Sequence, residues 1–314
     1  PNTMSHSRAV SLMILVTLLW SIAGVVTRHL DSAPSFEVTF WRSGFTALTI
    51  AIFLTWKRGP SLWPNLLRSP KEIWVSGICW SIMFTCFMVA ITLTTVANVL
   101  IVMALGPLIT AIFARFFLHH KLPVVTWLAI GIAALGIIWM FLHEGGTTVT
   151  LVGSLVSFAI PVAAAINFTT MQHVSQPKAV AKNNDDQGPV RDMLQSVLIG
   201  AILSTLATLP MSLPFQASNH DLVLLSILGV FQLAVPCLLV VHLSKVLSAP
   251  EISLLTQLEV IFGVTWAWLW AGEHLSLNTL SGGALVLGAL IVNELARIHR
   301  QRKAHGALLE YVEG

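Results

Sequence analysis

The chain has 314 residues, 55% of them hydrophobic and only 10% charged, with a formal net charge of +3. Together with a mean hydropathy of +0.81, this excludes a water-soluble globular domain, in which charged residues make up about 25%. It also excludes a nucleic-acid binder, which needs a basic surface on a soluble face.

A bilayer core of roughly 30 Å needs about 20 apolar residues per helix. Ten windows qualify in chain order: 9–27, 36–56, 73–92, 97–118, 124–142, 151–172, 193–213, 222–243, 249–271 and 279–296. The first is long enough to span and lacks a small-residue cleavage site before Trp20, so it reads as a span and not a cleavable leader. Lysine and arginine then fall on alternate loops: Lys57, Arg58, Arg68 and Lys71, then Arg115 and Lys121, then Lys178, Lys182 and Arg191, then Lys245, then Arg297, Arg300, Arg302 and Lys303. The other side holds only Arg28. That asymmetry predicts both termini in the cytoplasm and assigns the basic residues to anionic lipid headgroups. Cys79, Cys86 and Cys237 fall inside the windows at spacings of neither a disulfide framework nor a metal site.

The fourth and ninth windows are related. With Leu105 matched to Leu258, residues 97–122 and 250–275 are both long apolar helices, with a polar interruption near the middle and a short polar turn at the end. Each runs into a Gly/Ala-rich apolar segment, from Thr126 and from Leu280. A duplication with an odd number of spans per half is inverted, the architecture of secondary transporters. The expected fold is therefore all-α and membrane-integral: two inverted five-helix repeats, 1–143 and 144–296, with a cytoplasmic linker at about 173–192 and a basic tail at 297–314.

Leu19-Trp20-Ser21, Phe40-Trp41-Arg42, Pro107, Leu258-Glu259, Gly272-Glu273 and the Gly-rich tenth window, in this order, resemble the drug/metabolite transporter superfamily, in its EamA-type branch of ten-helix bacterial permeases. The likeness covers nearly the whole chain. Leu118-His119-His120 stands where such permeases usually carry a Gly-Glu pair, and Val260 where a proline often follows the glutamate. The resemblance implies export or exchange of a small metabolite, often an amino acid, across the bacterial inner membrane, through a cavity between the two halves.

A charge in hydrocarbon costs from about 2.5 to over 10 kcal/mol, which makes each intramembrane ionisable residue a functional candidate. Glu259 lies near the expected midplane of the ninth span, beside Thr256, Gln257 and Phe262. It reads as a proton-coupling or substrate-amine site, or as a carboxyl bridging helices. Arg42, the only basic residue well inside a span, needs a carboxylate, carbonyls or water. Glu259 or Glu37 would pair with it, or it binds a substrate carboxylate. Glu251 complements a helix N-terminus.

Asn98, Asn167, Gln232 and Gln257 bridge helices or line a cavity, and Trp20, Trp41, Trp80 and Phe84 are candidates for its apolar wall. Pro107 and Pro161 interrupt the fourth and sixth spans and free backbone carbonyls. Ala129 and Ala133, and Ala284 and Gly288, read as small-residue seams for close packing, within the chain or in a homodimer.

No P-loop, H-E-x-x-H or Cys/His cluster is present, so no nucleotide hydrolysis, metal or cofactor is expected. The partners expected are a small-molecule solute and the lipid bilayer. The alternative is an intramembrane enzyme acting on a lipid-linked substrate, for which Glu259 with scattered serines is a poor constellation.

Overall fold

The computed structural model describes residues 5–117, 121–143, 148–175, 193–243 and 255–313. Every regular element among them is helical. In the first half these are α1 (His6–Ser21), α2 (Ala23–Thr27), α3 (Ser35–Arg58), α4 (Leu62–Leu67), α5 (Lys71–Leu93), α6 (Val96–Met103), α7 (Gly106–Phe117), α8 (Val124–His143) and α9 (Thr148–Ser175). There follow α10 (Met193–Ser212), α11 (Asn219–Ile227), a π-helical segment (Leu228–Ala234), α12 (Val235–Leu243), α13 (Leu258–Trp270) and α14 (Leu277–Glu313). Among the described residues, seven helical stretches are long and apolar enough to cross a membrane, and three shorter apolar ones accompany them, Val124–Met140, Leu151–Asn167 and Leu258–Trp270. Each overlaps one of the windows read from the sequence. The likely sites His119, His120, Lys245, Pro250 and Glu251, and the linker 176–192, lie outside the described residues.

Local chemistry sets the ends. α3 begins behind Pro34 in extended backbone, carries Glu37 in its first turn and Lys57 and Arg58 in its last, and stops at Gly59, φ 76°. Acid first and base last complements the helix dipole. α11 opens with a reciprocal cap in which the Ser218 hydroxyl and the Asp221 carboxylate each take the other residue's backbone N–H, worth about 1 kcal/mol. α14 runs on past the expected span end at 296 to Glu313, with the Arg297 Nε donating to Glu294 (2.9 Å), so the basic tail is a continuation of the last helix.

Packing brings the two halves together. α5 lies between α9 and α10, α10 also packs on α3, α1 lies against α12 and α13, and α6 lies against α13. The largest apolar core spans both halves, from Ala23 and Leu100 to Val260 and Leu290.

α8 and α14 run antiparallel, because Thr126 Oγ1 donates to Asn293 Oδ1 (2.8 Å) while Trp139 Nε1 donates to Ser281 Oγ (3.1 Å). Where they cross, a Cβ on Gly136 or on Gly282 would lie 2.7 Å from the other glycine's carbonyl oxygen, so only glycine admits the approach.

Two expectations are corrected here. Ala129 and Ala133 are in this seam, but Ala284 is exposed and a Cβ on Gly288 would meet nothing within 4 Å. The α14 side is formed by Gly282, Val286 and Ala289 instead. Pro161 sits inside α9 without interrupting it, because α5 supports that helix along its length and holds it straight across the missing N–H.

Candidate functional site

Two spans are broken at matching places. The fourth unwinds at Ala104 and Leu105 between α6 and α7, and the ninth turns at Gln257 before α13 begins at Leu258. Pro107 accounts for the first break, since it has no N–H for the Met103 carbonyl one turn earlier. In the alignment of Leu105 with Leu258, Ala104 corresponds to Gln257, so the interruptions fall in register.

The breaks also meet in space. Leu100, Met103 and Ala104 from one, with Thr256, Gln257, Glu259 and Val260 from the other, line a cavity of about 40 Å³. Glu259 is 8% exposed and makes no hydrogen bond or ion pair among the described residues. The Gln257 Oε1 is buried there without a partner. Glu259 lies in the first turn of α13, where the helix dipole favours negative charge.

Arg42 is fully enclosed, 1% exposed, and makes no ion pair among the described residues, neither with Glu259 nor with Glu37. Neutral acceptors serve it instead. Its Nη1 donates to Gln232 Oε1 (3.1 Å) and its Nη2 to the Phe84 carbonyl (2.9 Å). The guanidinium carbon stands 5.7 Å from the centre of the Phe87 ring, a cation–π distance. Gln232 passes the link on, donating from Nε2 to the Trp20 carbonyl (3.1 Å). Trp20, Phe84, Arg42 and Gln232, four of the candidate residues, thus form one network joining α1, α3, α5 and the π-helical segment.

The π turn makes that contact possible. A Cβ on Gly229 would lie 2.8 Å from the Arg42 carbonyl oxygen, and Thr46 Oγ1 donates to the carbonyls of both Arg42 (2.9 Å) and Gly229 (2.8 Å). π turns of this kind are frequent at functional sites.

The remaining candidates are dispersed. Trp80 stacks at a tilt on Phe84, ring centres 5.5 Å apart, next to the Arg42 network. Asn167 Oδ1 accepts from Ser76 Oγ (2.6 Å) and so joins α9 to α5. Asn98 Nδ2 donates to Thr94 Oγ1 (3.2 Å) at the start of α6. Trp41 Nε1 donates to Glu37 Oε1 (3.1 Å), and its ring packs on Phe215. Gln257 and Glu259 share the cavity.

Three buried carboxylates close one end of the bundle. Glu37 accepts from the N–H groups of Gln216 (2.8 Å) and Ala217 (2.9 Å). Asp221 accepts from those of Asp31 (2.7 Å), Ser32 (3.0 Å) and Ala33 (3.1 Å). Although Asp31, His220 and Asp221 bring ligand atoms within 4.8 Å of one another, the Asp221 oxygens are taken up by these N–H groups.

Glu273 Oε1 accepts from Arg28 Nε (3.1 Å) and Nη2 (3.0 Å) and from the Val96 N–H (2.9 Å), while Arg28 Nη2 also donates to the Thr94 carbonyl (2.7 Å). Gly272, φ 67°, turns the chain back so that the Glu273 N–H reaches the Ala267 carbonyl (3.3 Å), as glycine commonly does after a helix end. The Gly-Glu pair therefore has a structural job: the glycine reverses the chain and the glutamate captures Arg28. Reading the sequence did not join Arg28 to Glu273, although both stood out, one as the lone outer cation and one as a motif residue.

A family model for EamA-like transporters matches residues 7–142 and 188–294. The chain belongs to the EamA-like transporter family. It is similar to the pseudopaline exporter CntI of two Pseudomonas aeruginosa strains, with 22% identity over 290 residues that cover 90% of this chain and 94% of the relative. An uncharacterized transporter of the same species is 22% identical over 138 residues, 43% of this chain and 46% of its own length. A solved crystal structure superposes with a TM-score of 0.60 at 19% identity, covering 93% of this chain and 98% of that one, a likeness of fold. The protein is a multi-helical membrane transporter of small molecules and not an enzyme, which sets aside the lipid-linked hydrolase alternative.

Proposed function

We propose that this protein exports a small organic metabolite, amino-acid-like in carrying both an acidic and a basic group, across the bacterial inner membrane by alternating access. Two inverted five-helix halves, 1–143 and 144–296, enclose the route, with both termini cytoplasmic. The third, fourth, eighth and ninth spans move against the rest. The observation that carries this is the buried, unpartnered Glu259 in the cavity where two broken helices meet, the arrangement that transporters with inverted repeats use at their midplane. Glu259 is the coupling carboxyl and exchanges a proton during the cycle, supported by Gln257.

The solute's acidic end is served by Arg42, released from Gln232, with Trp20, Trp80 and Phe84 as apolar wall and Asn98, Asn167 and Trp41 further along the route. The similarity to an exporter over nine-tenths of the chain supports outward transport. A homodimer would use the exposed Ala284 and Gly288 face of α14.

The test is thermal stability of the purified protein across amino acids, sugars, nucleosides and amphipathic amines, in parallel with Glu259→Gln. A shift confined to amino-acid-like solutes, followed by their pH-gradient-driven uptake into proteoliposomes that Glu259→Gln abolishes, is the expected result. Stabilisation by sugars or nucleosides alone would overturn the substrate class.

A further inference from the structure

The cavity beside Glu259 is the wrong size for a metabolite. A volume of about 40 Å³ accommodates about three waters at 10–15 Å³ each, whereas organic ligands occupy pockets of about 300 Å³ or more. Its polar chemistry is one-sided as well. Glu259 presents a carboxylate that is 8% exposed and unpartnered among the described residues. Gln257 turns a buried, unpartnered carbonyl oxygen toward the same region. Met103 lines the cavity, and its backbone carbonyl is the one that Pro107 deprives of a helical donor. The polar groups assembled here are oxygen acceptors.

From this we infer that the cavity between the two helix breaks is a binding site for a small monovalent alkali cation, held by Glu259, Gln257 and the Met103 carbonyl. Unwound carbonyls together with a buried carboxylate suit such an ion. One carboxylate balances one positive charge. A divalent ion would leave an uncompensated charge in a low-dielectric interior, and calcium takes 6–8 oxygen ligands, more than this cradle offers. A proton alone would need neither the space nor the freed carbonyl. The inference rests on the reading of Glu259 as the coupling group and adds the identity of what it holds besides a proton.

The experiment compares melting of the full-length purified protein in lithium, sodium, potassium and choline chlorides at equal ionic strength and fixed pH. At least one alkali ion should raise the melting temperature saturably over choline by several degrees, and Glu259→Gln and Gln257→Leu should each reduce that rise at least several-fold. Identical melting in all four salts would overturn the site, and this arm needs no variant. So would an alkali effect undiminished in both variants, since the ion would then sit elsewhere. Solute-induced stabilisation that persists in choline, with no alkali effect, would remove the cation while leaving the exporter reading intact. An alkali effect without any solute response would do the reverse.

Discussion

Arg28 and Glu273, 245 positions apart, meet with a 3.0 Å contact between Nη2 and Oε1, and the same carboxylate takes the Val96 N–H. One oxygen thus ties the end of α2, the start of α6 and the chain leaving α13. The Glu273 side chain is 9% exposed and that of Arg28 27%, which places the pair between a surface bridge and a buried one. Replacing Glu273 by Gln should lower stability by about 1–3 kcal/mol, because the guanidinium loses its charged partner. A double-mutant cycle with Arg28→Ala, read by thermal unfolding in detergent, should return a coupling energy above about 0.5 kcal/mol. Strict additivity would show the contact to be energetically idle.

Glu259 should behave in the opposite way. It has no partner to lose, so Glu259→Gln removes an ionisable group from a dry environment without orphaning a neighbour. Stability should hold or rise in that variant while coupled transport is lost. A fall comparable to that of Glu273→Gln would show that Glu259 holds helices together.

The Arg42 network gives a third test. Gln232→Leu strands one guanidinium N–H and leaves the Trp20 carbonyl without its donor, and each buried unsatisfied group costs about 1–3 kcal/mol. Unfolding in detergent should show a loss of about 2–4 kcal/mol. Arg42→Lys should be destabilising too, since one ammonium cannot reproduce a planar fork directed at both Gln232 and Phe84.

Two glycines separate close approach from backbone entropy. A Cβ at Gly229 would stand 2.6 Å from Phe45 Cβ and 2.8 Å from the Arg42 carbonyl oxygen, so Gly229→Ala must push α3 away from the π-helical segment. That should cost about 1–3 kcal/mol. At Gly131, inside α8, an added Cβ meets nothing within 4 Å, and Gly131→Ala should stabilise by about 0.5–1 kcal/mol. Melting curves of the two variants should move in opposite directions.

Much of the architecture was legible because hydropathy in a membrane chain is set by the solvent and not by the details of packing. Each apolar window produced a helix, and the aligned repeat located both helix breaks, one signalled by Pro107 and the other by Glu259. Partnerships were less legible. Arg42 appeared to require a carboxylate, but the π turn offered Gln232 and a carbonyl first, and no residue pattern in Leu228–Ala234 announces that turn. Ala284 and Gly288 have the spacing of a seam yet face away, because the spacing of small residues does not say which face of a helix meets a neighbour. The Ser218-x-x-Asp221 cap could have been read from the sequence alone. That Asp221 would also gather the N–H groups of residues 31–33 depended on the fold.

The π-helical segment has a further consequence for how this chain tolerates length changes. A residue occupies about 100° of an α-helical turn, so removing one from Leu228–Ala234 to restore a regular helix would rotate everything beyond it by that angle relative to α11. Cys237 and Leu243, now buried, would leave their places, as would Gln232 opposite Arg42. Point substitutions along this stretch are graded in effect, whereas a single-residue deletion is a change of face. Among relatives, the number of residues between Asp221 and Cys237 should therefore be held more tightly than their identities.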